Sequence, residues 1–232
     1  MEVCLEKTGG RFRIIVNLNG PYLVLGGLPL VRRFAAKTIY GEPMEWDAVG
    51  VEGYDFPVEE TYELCRCGQS KNKPFCDKTH QQIAFNGELK ADRRLSVERR
   101  RSIQGSQFLM TDDGILCSDA GFCGTRLTKV WKMIQFSDDP EVRARILRMV
   151  ENCPSGRLVA WTEDGEALEP EFRPSIAVLT DGPLWVRGGI PIEAPDGFVY
   201  EIRNRVTLCR CGSSRNMPFC DGSHGQVKFT AP

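Results

Sequence analysis

Short alternations of apolar and polar residues occur twice in this chain, and each is interrupted by a turn signal. The stretch "IIVNLNGPYLVLGGLPL" (14–30) matches "IAVLTDGPLWVRGGIPI" (176–192) at a constant offset of 162 residues. In both, alternation leads to Asn-Gly or Asp-Gly, then to proline, more alternation and a Gly-Gly pair. This pattern predicts two β-strands joined by a tight turn, with the paired glycines permitting a bend or bulge.

A second repeat follows each hairpin. Residues 65–80 read "CRCGQSKNKPFCDKTH" and residues 209–224 read "CRCGSSRNMPFCDGSH", an offset of 144, so the first copy holds 18 more residues between hairpin and motif. The positions after each motif also correspond, Ile83 and Phe85 with Val227 and Phe229. We therefore expect one unit, present twice, made of a hairpin, a strand, a cysteine-rich loop and a short closing strand. Because such units rarely bury enough core alone, the two copies are expected to pack on each other.

Between the two copies, apolar residues recur at the spacing of one face of an α-helix. "TRLTKVWKMI" places four apolar residues on one predicted helical face: Leu127, Val130, Trp131 and Ile134. "SDDPEVRARILRMVENC" predicts a second helix, with Asp139 as N-cap and Pro140 at its first position. Its predicted buried positions are Val142, Ile146, Met149 and Val150. The chain is thus expected to be α+β: a first β-rich unit (1–90), an inserted α/β lobe (91–170) and a second β-rich unit (171–232).

Composition narrows the class of protein. The 232 residues are 41% hydrophobic and 26% charged, which is typical of a globular protein, and the net charge of −1 gives no reason to expect nucleic acid or an anionic membrane as partner. No run approaches the roughly 18 apolar residues of a membrane span, and the first residues lack the apolar region of a secretory signal. We expect a cytoplasmic protein whose cysteines stay reduced and bind metal, with a disulfide framework as the alternative.

The two motifs use six of the ten cysteines and both histidines of the chain. Thiolates and imidazole suit zinc or iron–sulfur clusters rather than magnesium or calcium. Cys65 and Cys67 are two residues apart, so on an extended chain both sulfurs point to one side, whereas Cys76 and His80 are one helical turn apart. Two such pairs fit two irons with two protein ligands each, and a structural Cys3His zinc site is the alternative. The second motif offers the equivalent residues Cys209, Cys211, Cys220 and His224.

Other motif positions suggest supporting roles. Gly68 and Gly212 follow the first cysteine pair, where glycine allows the backbone amides to approach bridging sulfides closely. Asp77 and Asp221 are candidate caps of the turn that carries each histidine.

Both motifs resemble the CDGSH iron–sulfur domain of NEET-type proteins, whose pattern is C-x-C-x2-[ST]-x3-P-x-C-D-G-[ST]-H. The second copy matches throughout, whereas the first has Lys78 and Thr79 where glycine and serine are usual. The resemblance covers about 130 of the 232 residues. It implies a [2Fe–2S] cluster at each motif, held in the first by Cys65 and Cys67 on one iron and by Cys76 and His80 on the other. It also implies a two-fold-related β-rich assembly, normally a homodimer, which we expect here as a pseudo-dimer within one chain.

The inserted segment resembles the divergent single-cluster ferredoxins. "CSDAGFC" followed some thirty residues later by "CPSG" has the shape of their C-x5-C…C-P-S-G signature. Ala120 stands where ordinary bacterial ferredoxins have their middle cysteine. The resemblance implies that Cys117, Cys123 and Cys153 hold a [3Fe–4S] cluster, or a [4Fe–4S] cluster with an outside fourth ligand. The alternative is that all three are inert buried cysteines.

These features favour a binding protein over an enzyme, because both histidines are committed as ligands and no phosphate or dinucleotide glycine motif occurs. We expect a one-electron carrier or redox-responsive iron–sulfur protein, a monomer with internal pseudo-symmetry or a homodimer. Its expected partner is a redox protein or an apo iron–sulfur acceptor. Cluster storage and transfer, and a structural zinc adaptor, are the alternatives. The basic stretch "RRLSVERRR" (93–101) is expected to be a solvated face, with docking of an acidic partner as the alternative.

Overall fold

The computed structural model describes residues 11–46 and 55–231. Cys4, the first ten residues and part of the 18-residue excess of the first copy lie outside the described residues. Within them the fold is β-rich α+β, with mixed sheets and few helices, as the sequence predicts. The elements before the inserted segment are β1 Arg13–Val16, β2 Tyr22–Leu25, β3 Leu30–Arg33, β4 Ala35–Lys37, β5 Pro43–Trp46, β6 Asp55–Phe56, β7 Thr61–Leu64 and α1 Thr79–Gln82.

The remaining elements follow in chain order. The inserted segment contains β8 Arg101–Gln104, β9 Leu109–Asp112, α2 Val130–Met133, α3 Pro140–Glu151, β10 Leu158–Trp161 and β11 Ala167–Leu168. It also has short 3-10 turns at Ser96–Glu98, Gly114–Leu116 and Ile134–Phe136. The last part of the chain contains β12 Ser175–Leu179, β13 Leu184–Arg187, β14 Ile192–Glu193, β15 Arg205–Leu208 and α4 Ser223–Gln226.

Both predicted hairpins are confirmed. β1 pairs antiparallel with β2, and β12 pairs antiparallel with β13. Asn19 (φ 48°) and Asp181 (φ 52°) occupy the left-handed region at the two turns, which asparagine and aspartate tolerate better than most residues. The strand before each motif then extends its hairpin, since β7 pairs with β2 and β15 pairs with β13.

Each hairpin also pairs with a strand from the other end of the chain. β1 lies parallel to β14, with Ile14 opposite Ile192, and β12 lies parallel to β3, with Ile176 opposite Leu30. The resulting sheets have the orders β14-β1-β2-β7 and β15-β13-β12-β3-β6, while β4 and β5 form a separate ribbon. The two copies of the hairpin therefore exchange equivalent strands.

One hydrophobic core lies between these two sheets. It buries residues from both copies together, and Leu116 of the inserted segment reaches it as well. Its fully buried side chains include Ile14, Val16, Tyr22, Val24, Leu64, Ile176, Val178, Leu184 and Leu208. Because the apolar faces of both sheets meet in this core, neither copy has a complete core of its own.

The predicted strand after each motif is absent from the structure. The chain instead forms the short helices α1 and α4, and then bends at Ala84 and Lys228, both with φ of 50°. Ile83 and Val227 are 47% and 50% exposed. The expectation was wrong because backbone N–H groups after the histidine bond back into the helical turn, as the Phe85 N–H does to the His80 carbonyl oxygen at 3.0 Å.

The inserted segment has a second core of its own. The sheet β11-β10-β9-β8 packs against α2 and α3, and the apolar side chains between them form this core. The α3 prediction is confirmed: the Asp139 carboxylate accepts hydrogen bonds from the backbone N–H groups of Glu141 and Val142, and Ile146 and Val150 are fully buried.

The first predicted helix is shorter than expected. Leu127 is 96% exposed and lies outside α2, which begins only at Val130. The Thr125 hydroxyl accepts from the backbone N–H groups of Leu127 and Thr128, so the chain makes a side-chain-stabilised turn before the helix can start.

Candidate metal centres

Three groups of cysteines and histidines define the candidate centres. The first site comprises Cys65, Cys67, Cys76 and His80, and the second site comprises Cys209, Cys211, Cys220 and His224. The middle site comprises Cys117, Cys123 and Cys153. Residues 65–80 are called the first loop, residues 209–224 the second loop and residues 117–123 the middle loop.

The cysteine pair that opens each of the first and second sites is spaced for one metal ion. The Sγ atoms of Cys65 and Cys67 are 3.8 Å apart, and those of Cys209 and Cys211 are 3.7 Å apart. Two thiolates on a tetrahedral ion with bonds of about 2.3 Å lie about 3.8 Å apart. Each pair therefore matches one edge of a metal tetrahedron.

The cysteine and histidine that close each site form a second such edge. The Cys76 Sγ atom lies 3.4 Å from the His80 Nδ1 atom, and Cys220 Sγ lies 3.4 Å from His224 Nδ1. A thiolate and an imidazole on one tetrahedral ion lie about 3.5 Å apart. The nitrogen turned toward the thiol is Nδ1 in both copies.

The two edges of one site do not converge on a common ion. Within residues 11–46 and 55–231, no three Cys, His, Asp or Glu side chains come close enough together to hold a single metal ion. The donors are thus arranged as two separate pairs, which fits a core of two metals with two protein ligands each. A single zinc ion would need four convergent donors.

The serine and aspartate of each motif hold the loop rather than the metal. In the first loop, Ser70 Oγ donates to the Phe75 carbonyl oxygen at 2.7 Å and accepts from the Asn72 N–H at 3.0 Å. Asp77 accepts from the N–H groups of Lys71 at 2.8 Å and Thr79 at 3.0 Å, which gives it the predicted capping role. Ser214 and Asp221 make the same bonds in the second loop, to Phe219, Asn216, Arg215 and Ser223.

The first loop adopts the same backbone as the second despite its departure from the motif. Lys78 has φ of 69° and Gly222 has φ of 84°, both left-handed. The backbone N–H of each lies 3.4 Å from the sulfur two residues earlier, Cys76 or Cys220. The Lys78 ammonium forms an ion pair with Glu63 at the protein surface.

Buried arginines between the paired cysteines are functional residues that the sequence analysis missed. Arg66 is 1% exposed and donates to the carbonyl oxygens of Gly20 at 2.7 Å and Asn17 at 2.6 Å. Arg210, equally buried, donates to those of Gly182 and Leu179, the equivalent turn of the second hairpin. The signal was present, since both motifs read C-R-C. Each guanidinium ties a loop to a hairpin turn and places a positive charge beside the thiols.

The two loops meet back to back at their glycines. A Cβ atom on Gly68 would lie 2.4 Å from the Cys211 carbonyl oxygen, and one on Gly212 would lie 2.4 Å from that of Cys67. From the sequence, we expect these glycines to let the backbone amides approach bridging sulfides. The structure shows a different close approach, between the backbone of each loop and that of the opposite loop.

Tyr22 breaks the equivalence of the two sites. Its buried hydroxyl donates to the carbonyl oxygens of Cys209 at 2.8 Å and Pro218 at 3.0 Å. The equivalent position in the second hairpin is Leu184, which has no hydroxyl to offer the first loop. The sequence shows that these two positions differ, but only the structure shows that the Tyr22 hydroxyl contacts the second loop.

The thiol pairs have unequal proton affinities. In the first pair the sulfur–sulfur hydrogen bond lowers the pKa of Cys65 to about 6 and raises the pKa of Cys67. In the second pair the same interaction lowers the pKa of Cys211 and raises that of Cys209. Burial raises the pKa of Cys220. Each pair thus has one thiol whose pKa lies below its ordinary value, and thiolate is the form that binds metal.

The structure brings together the three cysteines for which the resemblance implies a cluster, although no three donors of the described residues come close enough to hold a single metal ion. Cys117, Cys123 and Cys153 line one cavity of about 60 Å³. Burial and the neighbouring Cys153 thiol raise the pKa of Cys123. Arg157 lines the same cavity and donates to Asp112 at 2.6 Å, which holds its guanidinium in place. The three thiols thus line one cavity beside a cationic side chain.

The described contacts give no support to the disulfide alternative, and they show ion pairs along the basic stretch. The nine cysteines of the described residues are all free thiols, so none of them forms a disulfide. In the basic stretch 93–101, Arg93, Arg99 and Arg101 form ion pairs with Asp196, Asp113 and Asp112 at 2.7–2.8 Å. These arginines form ion pairs within the molecule, while the Arg93 and Arg101 side chains remain 49% and 66% exposed.

Comparisons with known proteins agree with both resemblances drawn from the motifs. Residues 19–81 and 181–225 match a family model described as "Iron-binding zinc finger CDGSH type", and residues 103–163 match one described as "Divergent 4Fe-4S mono-cluster". A CDGSH iron-sulfur domain-containing protein 2 homolog of Drosophila ananassae is 50% identical over 28 residues, which is 12% of this chain and 21% of that protein. The predicted arrangement, two CDGSH-type segments flanking a divergent single-cluster segment, is confirmed. Across the described residues, no helix has the length and apolar character needed to cross a membrane.

Proposed function

We propose that this chain, with two CDGSH-type segments around a divergent single-cluster segment, is an iron–sulfur protein that acts in one-electron transfer or redox sensing. It holds one [2Fe–2S] cluster at the first site and one at the second, and a [3Fe–4S] or [4Fe–4S] cluster at the middle site. The observation that carries this proposal is the donor arrangement, with two metal-sized edges in each motif that do not converge on one ion.

A bound cluster of this kind supplies reversible one-electron chemistry. The residues of this chain bind it, orient it and compensate its charge. Thiolates of the first and second sites bring three negative charges each, and the buried guanidinium groups of Arg66 and Arg210 oppose that charge at short range. The cysteines of the opening pairs are almost fully buried, so water is kept from that side of each site.

The same proposal includes a pseudo-dimer within one chain. Exchange of the equivalent strands β3 and β14 and the reciprocal approach of Gly68 and Gly212 both support a pseudo-two-fold axis between the two loops. The inserted segment then forms a lobe with its own core. We infer that the chain works as a monomer with internal pseudo-symmetry, in a reducing compartment such as the cytoplasm, where its thiols stay reduced.

Cluster storage and transfer to an apo acceptor is the second candidate, and one observation favours it. Cys76 of the first site is partly exposed, whereas its counterpart Cys220 is 2% exposed. A ligand that solvent can reach is the point at which a cluster would leave or an acceptor thiol would attack. The partner is accordingly a redox protein in the first case and an apo iron–sulfur protein in the second.

Metal and sulfide analysis of the purified protein tests the proposal. We expect about four irons and four sulfides from the first and second sites, which are together called the outer sites. When the middle site is also filled we expect about seven to eight irons, and in both cases visible charge-transfer absorption. Cys117→Ala should remove only the iron above four. Two zinc ions per chain and no visible absorption would instead establish the zinc adaptor. Transfer of intact clusters to an apo ferredoxin separates the carrier from the donor function.

A further inference from the structure

The middle loop packs on the second loop, with Asp119 against Gly222. A Cβ atom on Gly222 would lie only 2.8 Å from the Asp119 Cβ atom, so the glycine of the second loop is required by this contact as well as by its φ of 84°. The first loop has Lys78 at the equivalent position, with a side chain that points to solvent and pairs with Glu63. The two outer sites therefore differ where the motif differs.

Two further contacts tie the middle site to the second site. The Asn216 side-chain amide donates to the Ile115 carbonyl oxygen at 2.9 Å, just before the middle loop. The buried Arg205 guanidinium, at the start of the strand that leads to Cys209, donates to the Cys153 carbonyl oxygen at 2.8 Å. The equivalent residues of the first copy, Asn72 and Thr61, are both exposed.

Residues of the second site and of the middle loop line one cavity together. The His224 imidazole lines a cavity of about 350 Å³ together with Ser118 and Ala120 of the middle loop. By contrast, no hydrogen bond or ion pair joins the first loop to residues 91–170 in the part of the chain that the structure describes. The first loop instead meets the second loop at Gly68 and Gly212.

We propose that the three sites form a linear relay in the order first, second, middle. This rests on the proposed function, since it requires clusters at all three sites. Electron tunnelling slows steeply with the separation of the centres, so sites that share a wall exchange electrons before sites that do not. With clusters held by these cysteines and histidines, each transfer would oxidise one centre by one electron and reduce its neighbour by one, with no bond formed or broken. The second site is the obligatory centre of the relay, and Gly222 is the residue that admits the middle loop to it.

Two matched variants test the order in dithionite-reduced protein by electron paramagnetic resonance. Cys76→Ala leaves the second and middle sites intact, and Cys220→Ala leaves the first and middle sites intact. We expect the surviving two-iron signal to be broadened and to relax faster through the middle centre in Cys76→Ala, and to behave as an isolated centre in Cys220→Ala. Equal coupling in both variants, or stronger coupling in Cys220→Ala, would overturn the order.

Iron analysis of the same samples separates failure of the relay from failure of the proposed function. If the middle site holds no iron while the outer sites do, the relay is wrong and the two-cluster function stands. If the outer sites also lack iron, both are wrong.

A second test needs no cluster signal, because it measures hydrogen exchange of the backbone amides. Gly222→Ala should speed exchange in residues 117–123, and Asp119→Gly should restore slow exchange in the Gly222→Ala background by removing the clashing Cβ atom. Lys78→Gly, the reverse change at the equivalent position, should leave exchange in the middle loop unchanged. Faster exchange in Lys78→Gly, or none in Gly222→Ala, would show that the middle loop does not rest on the second site.

Discussion

Tyr22→Phe should weaken the second site and spare the first. The substitution removes a hydroxyl that donates to the carbonyl oxygens of Cys209 and Pro218, while leaving the buried ring in place. Pro218 keeps the hydrogen bond that it accepts from the Cys209 N–H at 2.8 Å, so Cys209 is the acceptor that loses its partner. Burial raises the pKa of Tyr22 well above its ordinary value, so the hydroxyl remains a donor at any pH that the protein tolerates.

The expected cost follows from one orphaned buried acceptor, about 1–2 kcal/mol. If this free-energy cost makes opening of the second loop easier by the same amount, release of the metal from the second site should accelerate by roughly 5–30-fold. The measurement is the rate of loss of each cluster's absorption in the presence of a chelator, with the two sites distinguished in a Cys76→Ala background that leaves only the second outer site.

Tyr62→Phe is the matched control. The Tyr62 hydroxyl donates at 2.6 Å to the carbonyl oxygen of Leu28, which lies in the same core and outside both loops, while the Tyr62 ring packs edge-on against Phe75 of the first loop. Because phenylalanine keeps that ring contact, Tyr62→Phe should cost similar stability in denaturant unfolding without selective metal loss. Unchanged release from the second site in Tyr22→Phe, or equal acceleration at both sites, would refute the reasoning.

Three further predictions concern other parts of the molecule. Asp112→Asn should lower the free energy of unfolding by about 3–5 kcal/mol in a denaturant titration, because it leaves the Arg157 guanidinium without its carboxylate. Burial raises the pKa of Asp112, but the hydrogen bonds from Arg157, Arg101 and Trp131 together outweigh burial and lower that pKa. The stability that Asp112 contributes should therefore be present above a pH of about 3.9 and be lost as the pH falls below it, and a flat profile there would contradict this. His224→Cys should lower the reduction potential of one cluster only, since a thiolate adds a negative charge where imidazole is neutral, and unchanged potentials in redox titration would show that His224 is not a ligand. Gly68→Ala should impair both the first and the second site, because the added Cβ atom would lie 2.4 Å from the Cys211 carbonyl oxygen. Gly165→Ala is the control, since Gly165 has a similar φ of 82° and a Cβ atom there would have nothing within 4 Å. In denaturant unfolding it should cost only the strain of a left-handed alanine, about 1–2 kcal/mol.

Local chemistry was readable from the chain alone. The spacing of Cys65 with Cys67 and of Cys76 with His80 predicts two ligand pairs, and the structure places both pairs at metal-bonding separations. Asp139 before Pro140 predicts where α3 begins, because an N-cap and its helix are neighbours in sequence. The predicted closing strands and the early start of α2 were wrong because local hydrogen bonds favoured turns instead, to the His80 carbonyl oxygen in the first case and to the Thr125 hydroxyl in the second.

The sequence by itself determined the candidate ligand pairs, the two hairpins, the repeat and the approximate place of the inserted segment, because each depends on residues close together along the chain. Only the tertiary structure decided which copy receives each exchanged strand, that Arg66 and Arg210 are buried beside the thiols, and that the middle loop rests on Gly222 rather than on Lys78. These features join residues more than a hundred positions apart or depend on which face of a loop is covered. They depend on how the two sheets pack around one core, and that packing cannot be predicted from the local pattern of residues.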